Sequence, residues 1–336
     1  MTSASAGPLR AGVVGLGTMG RNHVRVWDEA VRGVELVAVA DPDPDAVGRA
    51  THGKALRGYP EARQMFAEER LDLVSIVAPT SLHLEVTLEA LGAGIHVLVE
   101  KPIAATRDEG ERMIAAAAAA DRILTVGHIE RFNPAIRELR RRLTAGELGR
   151  VFQIHATRLG PFPARIRDVG VVVDLAPHDL DVMRFLLESD PVRLFAETEQ
   201  RIHTDHEDLF VGVMKFANGA VGVLDINWLT PTKKRTLSVT GERGMYVADY
   251  VTQDLIFYAN PADASVAEGE VIRRHVARRE PLVVELEAFA AAVRNGGPPP
   301  VDPHEAMVAL LLARTMVQAA ESGTVVGGTA LAEVLA

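Results

Sequence analysis

The sequence predicts an α/β protein: first a parallel sheet covered on both faces by helices, then an α+β domain with a large, open, mostly antiparallel sheet. Three observations predict it. Apolar runs of strand length alternate with helical patterns over the first 126 residues. A glycine triplet sits in the first strand–helix turn, and from residue 151 strand-like runs succeed one another with few helices between them.

Residues 11–15 are a short apolar run, and a helical pattern follows to about Val31. Residues 34–40 read as a buried strand ending at Asp41, with a helix expected after the breakers Pro42 and Pro44. Strands are predicted at 71–78, 95–99 and 123–126, and a strong helix with an acidic first turn at 106–121. In the second half, 151–159, 192–200, 209–216, 220–228, 236–240, 245–248 and 255–258 read as strands. Asn218-Gly219, between two of them, is the pair a type I′ hairpin requires. Helices are expected at 175–187 and 303–321, the latter packing back toward the first domain, and the tail from 322 carries no pattern. The domains are thus 1–126 and 127–336.

Composition excludes several classes. The 336 residues are enough for two cores, and a net charge of −9 argues against a nucleic-acid surface. The absence of cysteine removes disulfides, thiolate metal sites and cysteine nucleophiles, and fits a reducing compartment. No apolar run reaches the roughly 18 residues of a membrane span. Residues 1–10 lack an apolar stretch of signal-peptide length, so a cytoplasmic location is expected.

Gly15-x-Gly17-x-x-Gly20 follows the first strand and opens a helix. Its glycines serve a tight turn, close backbone approach to a pyrophosphate, and close helix–strand packing. The helix start, with Thr18 and Met19 in its first turn, offers N–H groups and partial positive charge to phosphates. Asp41 stands 21 residues after Gly20 at the end of the second strand, where a carboxylate accepts the adenosine ribose hydroxyls. It repels a 2′-phosphate, and the following Pro42, Asp43 and Pro44 offer no arginine to receive one. NAD is therefore expected over NADP, bound to an N-terminal Rossmann domain. The same aspartate also reads as a turn or helix-cap residue.

Glu100-Lys101-Pro102 follows the strand 95–99, so Lys101 projects from the carboxyl edge of the sheet, where ligands bind in open α/β sheets. An alcohol losing a hydride needs a base for its proton and a cation that favours alkoxide character. Lys101 suits the second task, though alone it is also an ordinary loop lysine. Asp174 and His178 stand four apart at the start of a predicted helix, hence on one face, with Pro177 tolerated near its entry. His178 suits a general base oriented by a carboxylate. A helix cap and a structural histidine read the same way. Asp179 and Asp181 also admit a metal, but none is expected.

In order, the glycine triplet, Ala78-Pro79-Thr80 with His83, Glu100-Lys101-Pro102, Arg131-Phe132-Asn133-Pro134 and Asp174…His178-Asp179 resemble the Gfo/Idh/MocA oxidoreductases over residues 10–322. The resemblance implies a Rossmann domain, then an α+β domain whose open sheet serves oligomerisation, hence a homodimer or homotetramer. It implies Lys101, Asp174 and His178 as a catalytic trio. His178 would accept the proton, Lys101 bind and polarise the hydroxyl, and Asp174 contact substrate or orient its neighbours. It also implies that Thr80, His83 and Glu100 lie near the nicotinamide ribose, and Pro79, Lys101 and Arg131 are counted with the cofactor-binding set.

Within the family, residues 127–134, 160–170 and 227–233 resemble enzymes that oxidise C3 of UDP-N-acetylglucosamine. Arg158, Arg165 and Arg167 precede the Asp174/His178 helix and would clamp a diphosphate with forked guanidinium groups, with Lys233, Lys234 and Arg235 adding to the field. Singly, each is also a solvated loop charge. The expected activity is NAD-dependent oxidation of a secondary ring hydroxyl of a sugar nucleotide. A free polyol or sugar as substrate, as for inositol dehydrogenases of the family, and a non-catalytic NAD-binding sensor are the competing readings.

Overall fold

The computed structural model describes residues 7–163, 169–203, 205–261 and 269–335. The chain divides into two compact units. One reaches Ile129 and takes in Glu280–Met307; the other holds Glu130–Arg279 and Val308–Ala336.

In the first unit, β1 (Leu9–Val14), β2 (Val34–Ala40), β3 (Arg57–Tyr59), β4 (Leu73–Ile76), β5 (His96–Glu100) and β6 (Leu124–Gly127) pair in the order β3-β2-β1-β4-β5-β6, all parallel. Parallel neighbours need crossovers. These contain α1 (Thr18–Glu29), α2 (Pro44–Thr51), α3 (Ala62–Glu68), α4 (His83–Gly92) and α5 (Arg107–Ala120). Val13, Val14, Val39, Ala40, Leu73, Val74, Val97 and Leu98 are buried in unbroken runs, as a sheet covered on both faces demands. The acidic first turn expected of α5 is present, and Thr106 and Glu109 form a capping box there.

The second unit begins with α6 (Pro134–Thr144), β7 (Val151–Pro161) and α7 (Val171–Leu187). There follow β8 (Pro191–Glu199), β9 (Leu209–Phe216), β10 (Val221–Asn227), β11 (Leu229–Gly241), β12 (Gly244–Asp249), β13 (Leu255–Ala259) and β14 (Val271–Arg274). The sheet order is β14-β13-β12-β11-β7-β10-β9-β8-β15, antiparallel except between β7 and β10. Its last member, β15 (Val326–Gly327), and α10 (Thr329–Leu335) come from the tail that carried no pattern. Strands alternate cleanly: on β9, Phe210, Met214 and Phe216 are buried while Val211 and Val213 are exposed. The buried face packs with Ala176, Leu180 and Met183 of α7.

Three expectations change. The Asn218-Gly219 turn joins β9 to β10, but only Gly219 has positive φ, at +89°. Phe216 N donates to Ala220 O and Gly219 N to Phe216 O, both at 2.9 Å, so this is a three-residue loop ending in a left-handed glycine, not type I′. The boundary at 126/127 does not describe the chain either. Helix α8 (Pro281–Asn295), absent from the expected elements, places Leu282, Leu286, Phe289 and Ala290 in one core with Val24, Trp27, Leu36 and Val39 of the first unit. Finally, α9 (Pro303–Ser322) belongs to that unit only through Met307, and its Leu312, Ala313 and Met316 join the second core.

Phe289 is fully buried, so Phe289→Ala is expected to cost about 3–5 kcal/mol in urea unfolding. A loss below about 1 kcal/mol would show that α8 is not part of this core.

Candidate active site

Strands β1, β2, β4, β5 and β6 end at one edge of the parallel sheet, and the strand order reverses between β1 and β4. That reversal is where the crevice of an open α/β sheet forms. Gly15, Gly17, Thr18, Met19 and Gly20 follow β1; Asp41 follows β2; Pro79 and Thr80 follow β4; Glu100 ends β5 and Lys101 succeeds it. These predicted positions thus share the edge. Gly15 has φ +89°, and a Cβ there would lie 2.6 Å from Val77 O; one on Gly20 would lie 1.9 Å from Gly15 O. At Gly17 an added Cβ meets nothing within 4 Å, so its backbone faces open space where α1 begins.

Asp41 accepts hydrogen bonds from Leu16 N at 2.6 Å and Asp43 N at 2.8 Å, tying the glycine turn to the end of β2. The helix cap is Asp43, whose side chain accepts from Asp45 N at 2.9 Å. Glu100 accepts from buried His23 Nε2 at 3.0 Å, and from Lys101 N at 3.3 Å. The Lys101–Pro102 peptide is cis. His83 is 1% exposed, with Nδ1 3.0 Å from Pro102 O and Nε2 2.9 Å from Ala78 O. Its ring joins the turn after β4 to the turn carrying Lys101. Burial lowers its pKa, against the pull of these carbonyls. A ring so enclosed supports the edge through backbone rather than by touching a ligand.

In the second unit α7 starts four residues before the predicted position, so Pro177 lies inside the helix. Gly170 gives no side-chain cap; Glu207 supplies one, its Oε1 accepting from Val172 N at 3.0 Å. A Cβ at 170 would lie 2.0 Å from that carboxylate, which also suits the positive end of the helix. On this mostly buried helix Asp174 and His178 occupy half-exposed positions of one face.

Asp179 and Asp181 are buried and taken by guanidinium groups. Arg158 Nε and Nη2 donate to Asp179 at 2.7 and 3.0 Å, and its Nη1 donates to Glu130 at 3.0 Å. Arg131 Nε and Nη2 donate to Asp181, both at 2.6 Å. This removes the metal reading, and no cluster of three or more metal-ligating side chains occurs among the described residues. Burial opposes the charge of Arg158, yet Asp179 and Glu130 hold its pKa well above the ordinary arginine value. Arg158, expected in a diphosphate clamp, is instead a buried cation with its fork closed. Arg131, expected at the cofactor, likewise turns its fork inward. Arg165 and Arg167 lie outside the described residues.

Residues 9–128 match the oxidoreductase family with an NAD-binding Rossmann fold, and residues 136–247 match the Gfo/Idh/MocA C-terminal domain. The chain belongs to the Gfo/Idh/MocA oxidoreductase family. It is 31% identical over 290 residues to UDP-N-acetylglucosamine 3-dehydrogenase of Acidithiobacillus ferrooxidans, spanning 85% of this chain and 88% of that protein. Against myo-inositol 2-dehydrogenase of Thermotoga maritima it is 25% identical over 325 residues, 90% and 94% of the two. A solved structure of the Acidithiobacillus enzyme superposes with a TM-score of 0.85 at 28% identity, covering 94% of this chain and 98% of that one.

As a Gfo/Idh/MocA oxidoreductase the protein binds NAD, and its residues fit the cofactor. Gly17 leaves room at a helix start whose N–H groups suit a pyrophosphate. Each Asp41 oxygen accepts one backbone N–H, leaving lone pairs for ribose hydroxyls. Among the described residues no helix is long and apolar enough to cross a membrane. Two supporting residues escaped the sequence reading. His23 had a signal, its place three residues after Gly20 on α1, whereas Glu207 had none, standing 35 residues from the backbone it caps.

Asp41→Ala is expected to weaken NAD binding about tenfold or more in a fluorescence titration, since it removes a charged acceptor. An unchanged Kd would confine Asp41 to the turn. Glu207→Ala should cost about 0.5–2 kcal/mol, with Glu207→Gln recovering most of it. Equal losses in the two variants would refute the capping role.

Proposed function

We propose that this oxidoreductase oxidises a secondary ring hydroxyl of a sugar nucleotide, UDP-N-acetylglucosamine to its 3-keto derivative. The observation that carries this reading is the 31% identity to UDP-N-acetylglucosamine 3-dehydrogenase across 85% of the chain. Bound NAD⁺ supplies the hydride acceptor. Lys101 donates a hydrogen bond to the reacting oxygen and favours its alkoxide character. His178 takes the hydroxyl proton, and Asp174, one helical turn earlier, orients the imidazole or contacts the sugar. Glu100 and His83 hold the turn carrying Lys101 through their bonds to its backbone and its neighbours.

The likeness to myo-inositol 2-dehydrogenase favours a second reading, with a free polyol as substrate and the same proton path. Under either reading copies of the chain associate through the uncovered face of the second sheet, where Val211 and Val213 are exposed. Sedimentation showing only a monomer at working concentration would remove that part.

NADH appearance is the test, with UDP-N-acetylglucosamine, N-acetylglucosamine and myo-inositol compared. Turnover of the nucleotide sugar alone is expected; turnover of myo-inositol alone would install the second reading. Lys101→Ala and His178→Ala should each lower kcat by about 10²–10⁴. Undiminished turnover in either variant would overturn its catalytic role, whereas no turnover of any of the three substrates by the wild type would leave an NAD-binding sensor.

A further inference from the structure

Strand β11 carries two cations whose placement the fold does not explain. Arg235 is the direct cross-strand partner of Arg158, so their side chains leave the sheet on the same side. That is the face covered by α7, and the charge of Asp174 acts on Arg235 there. The β7–β11 register shifts between Leu229 and Lys234, placing Lys233 in an irregular stretch two residues before Arg235. Lys233 feels the charges of both Arg235 and Arg158.

Like charges opposite one another on a sheet are unfavourable, and a half-buried guanidinium normally closes on a carboxylate. Arg158 does so with Asp179 and Glu130; Arg235 has no ion pair or side-chain hydrogen bond among the described residues. Glu130 and Asp179 also act on Arg235, but both oxygens of Asp179 and Oε1 of Glu130 are engaged by Arg158. Burial, with Arg158, pushes the Arg235 pKa down, and Arg235 does the same to Lys233. Both cations would gain from an anion that enters from solvent, where Lys233 is exposed.

We propose that Lys233 and Arg235 form a two-cation cradle for the diphosphate of the substrate, beside Asp174. Two adjacent cations match the two charges of a diphosphate ester, and the forked guanidinium suits a phosphoryl group. A neutral sugar or polyol offers these residues nothing. The cradle takes over the task expected of Arg158, and it rests on the sugar-nucleotide reading above.

The test is calorimetric titration of the NAD-loaded protein with UDP, which carries the diphosphate without a sugar to oxidise. Arg235→Gln and Lys233→Gln should each bind UDP about tenfold more weakly, with Arg235→Lys in between. NAD affinity and Tm should stay unchanged, showing that the variants are folded. Wild-type affinity should also fall with added salt, less steeply in the variants. No UDP binding by the wild type, or equal binding by wild type and both glutamine variants, would overturn the cradle. The two readings separate cleanly. Failure to oxidise UDP-N-acetylglucosamine with Arg235-dependent UDP binding would sink the reaction and keep the cradle. Oxidation with an unchanged KM in both variants would keep the reaction and sink the cradle.

Discussion

Two arginine–aspartate forks set the rotation of α7, and the proposed chemistry of the second unit depends on that rotation. Arg158 grips Asp179, and Arg131 grips Asp181, each through two parallel hydrogen bonds. Such forks are directional, and separating either pair would strand a buried charge at a cost of about 3–5 kcal/mol. Turning the helix by a single residue, about 100°, would break both. Held as it is, α7 leaves Asp174 and His178 on its half-exposed stripe. Glu207 closes its first turn, and Arg140 donates to the carbonyl oxygens of Phe185 and Leu186 at its end.

The nucleotide edge of the first unit is organised differently, with side chains serving backbone. Asp41 gathers N–H groups from the glycine turn and from its own turn, and His83 lies among the carbonyls of two others. Neither arrangement exhausts what a ligand needs. Asp41 keeps free lone pairs, and the turn holding Lys101 is braced from behind. Buried His23, hydrogen-bonded to Glu100, extends the bracing into α1.

Much of this was legible in the sequence, and the gaps have physical causes. Buried parallel strands are unbroken apolar runs, so β1, β2, β4 and β5 announced themselves; β3, three residues long, did not. The glycine triplet and Asp41 were legible because only certain residues permit that turn and that contact. Asn218-Gly219 marked a turn, but its type follows from the loop length that Phe216 and Ala220 set by pairing. Leu282, Leu286 and Phe289 have helical spacing, yet nothing local says which sheet such a face will cover. Arg158 was recognised as a cation that matters; whether its fork faces a ligand or Asp179 is decided by partners 21 and 28 residues away.

The return of the chain at Glu280–Met307 completes the first unit only after residues 130–279 of the second have been added. The nucleotide-binding unit is therefore not finished when its six strands have been made. During synthesis, the apolar side of α1 around Val24 and Trp27 waits for Leu286 and Phe289 while eight strands of the second sheet, β7 to β14, are added in between. Birth order and spatial order are thus reversed for this core: its oldest helix is sealed by one of the youngest. An amino-terminal fragment would carry every residue of the glycine fingerprint and still lack its own lid, exposing sticky surface that chaperones recognise.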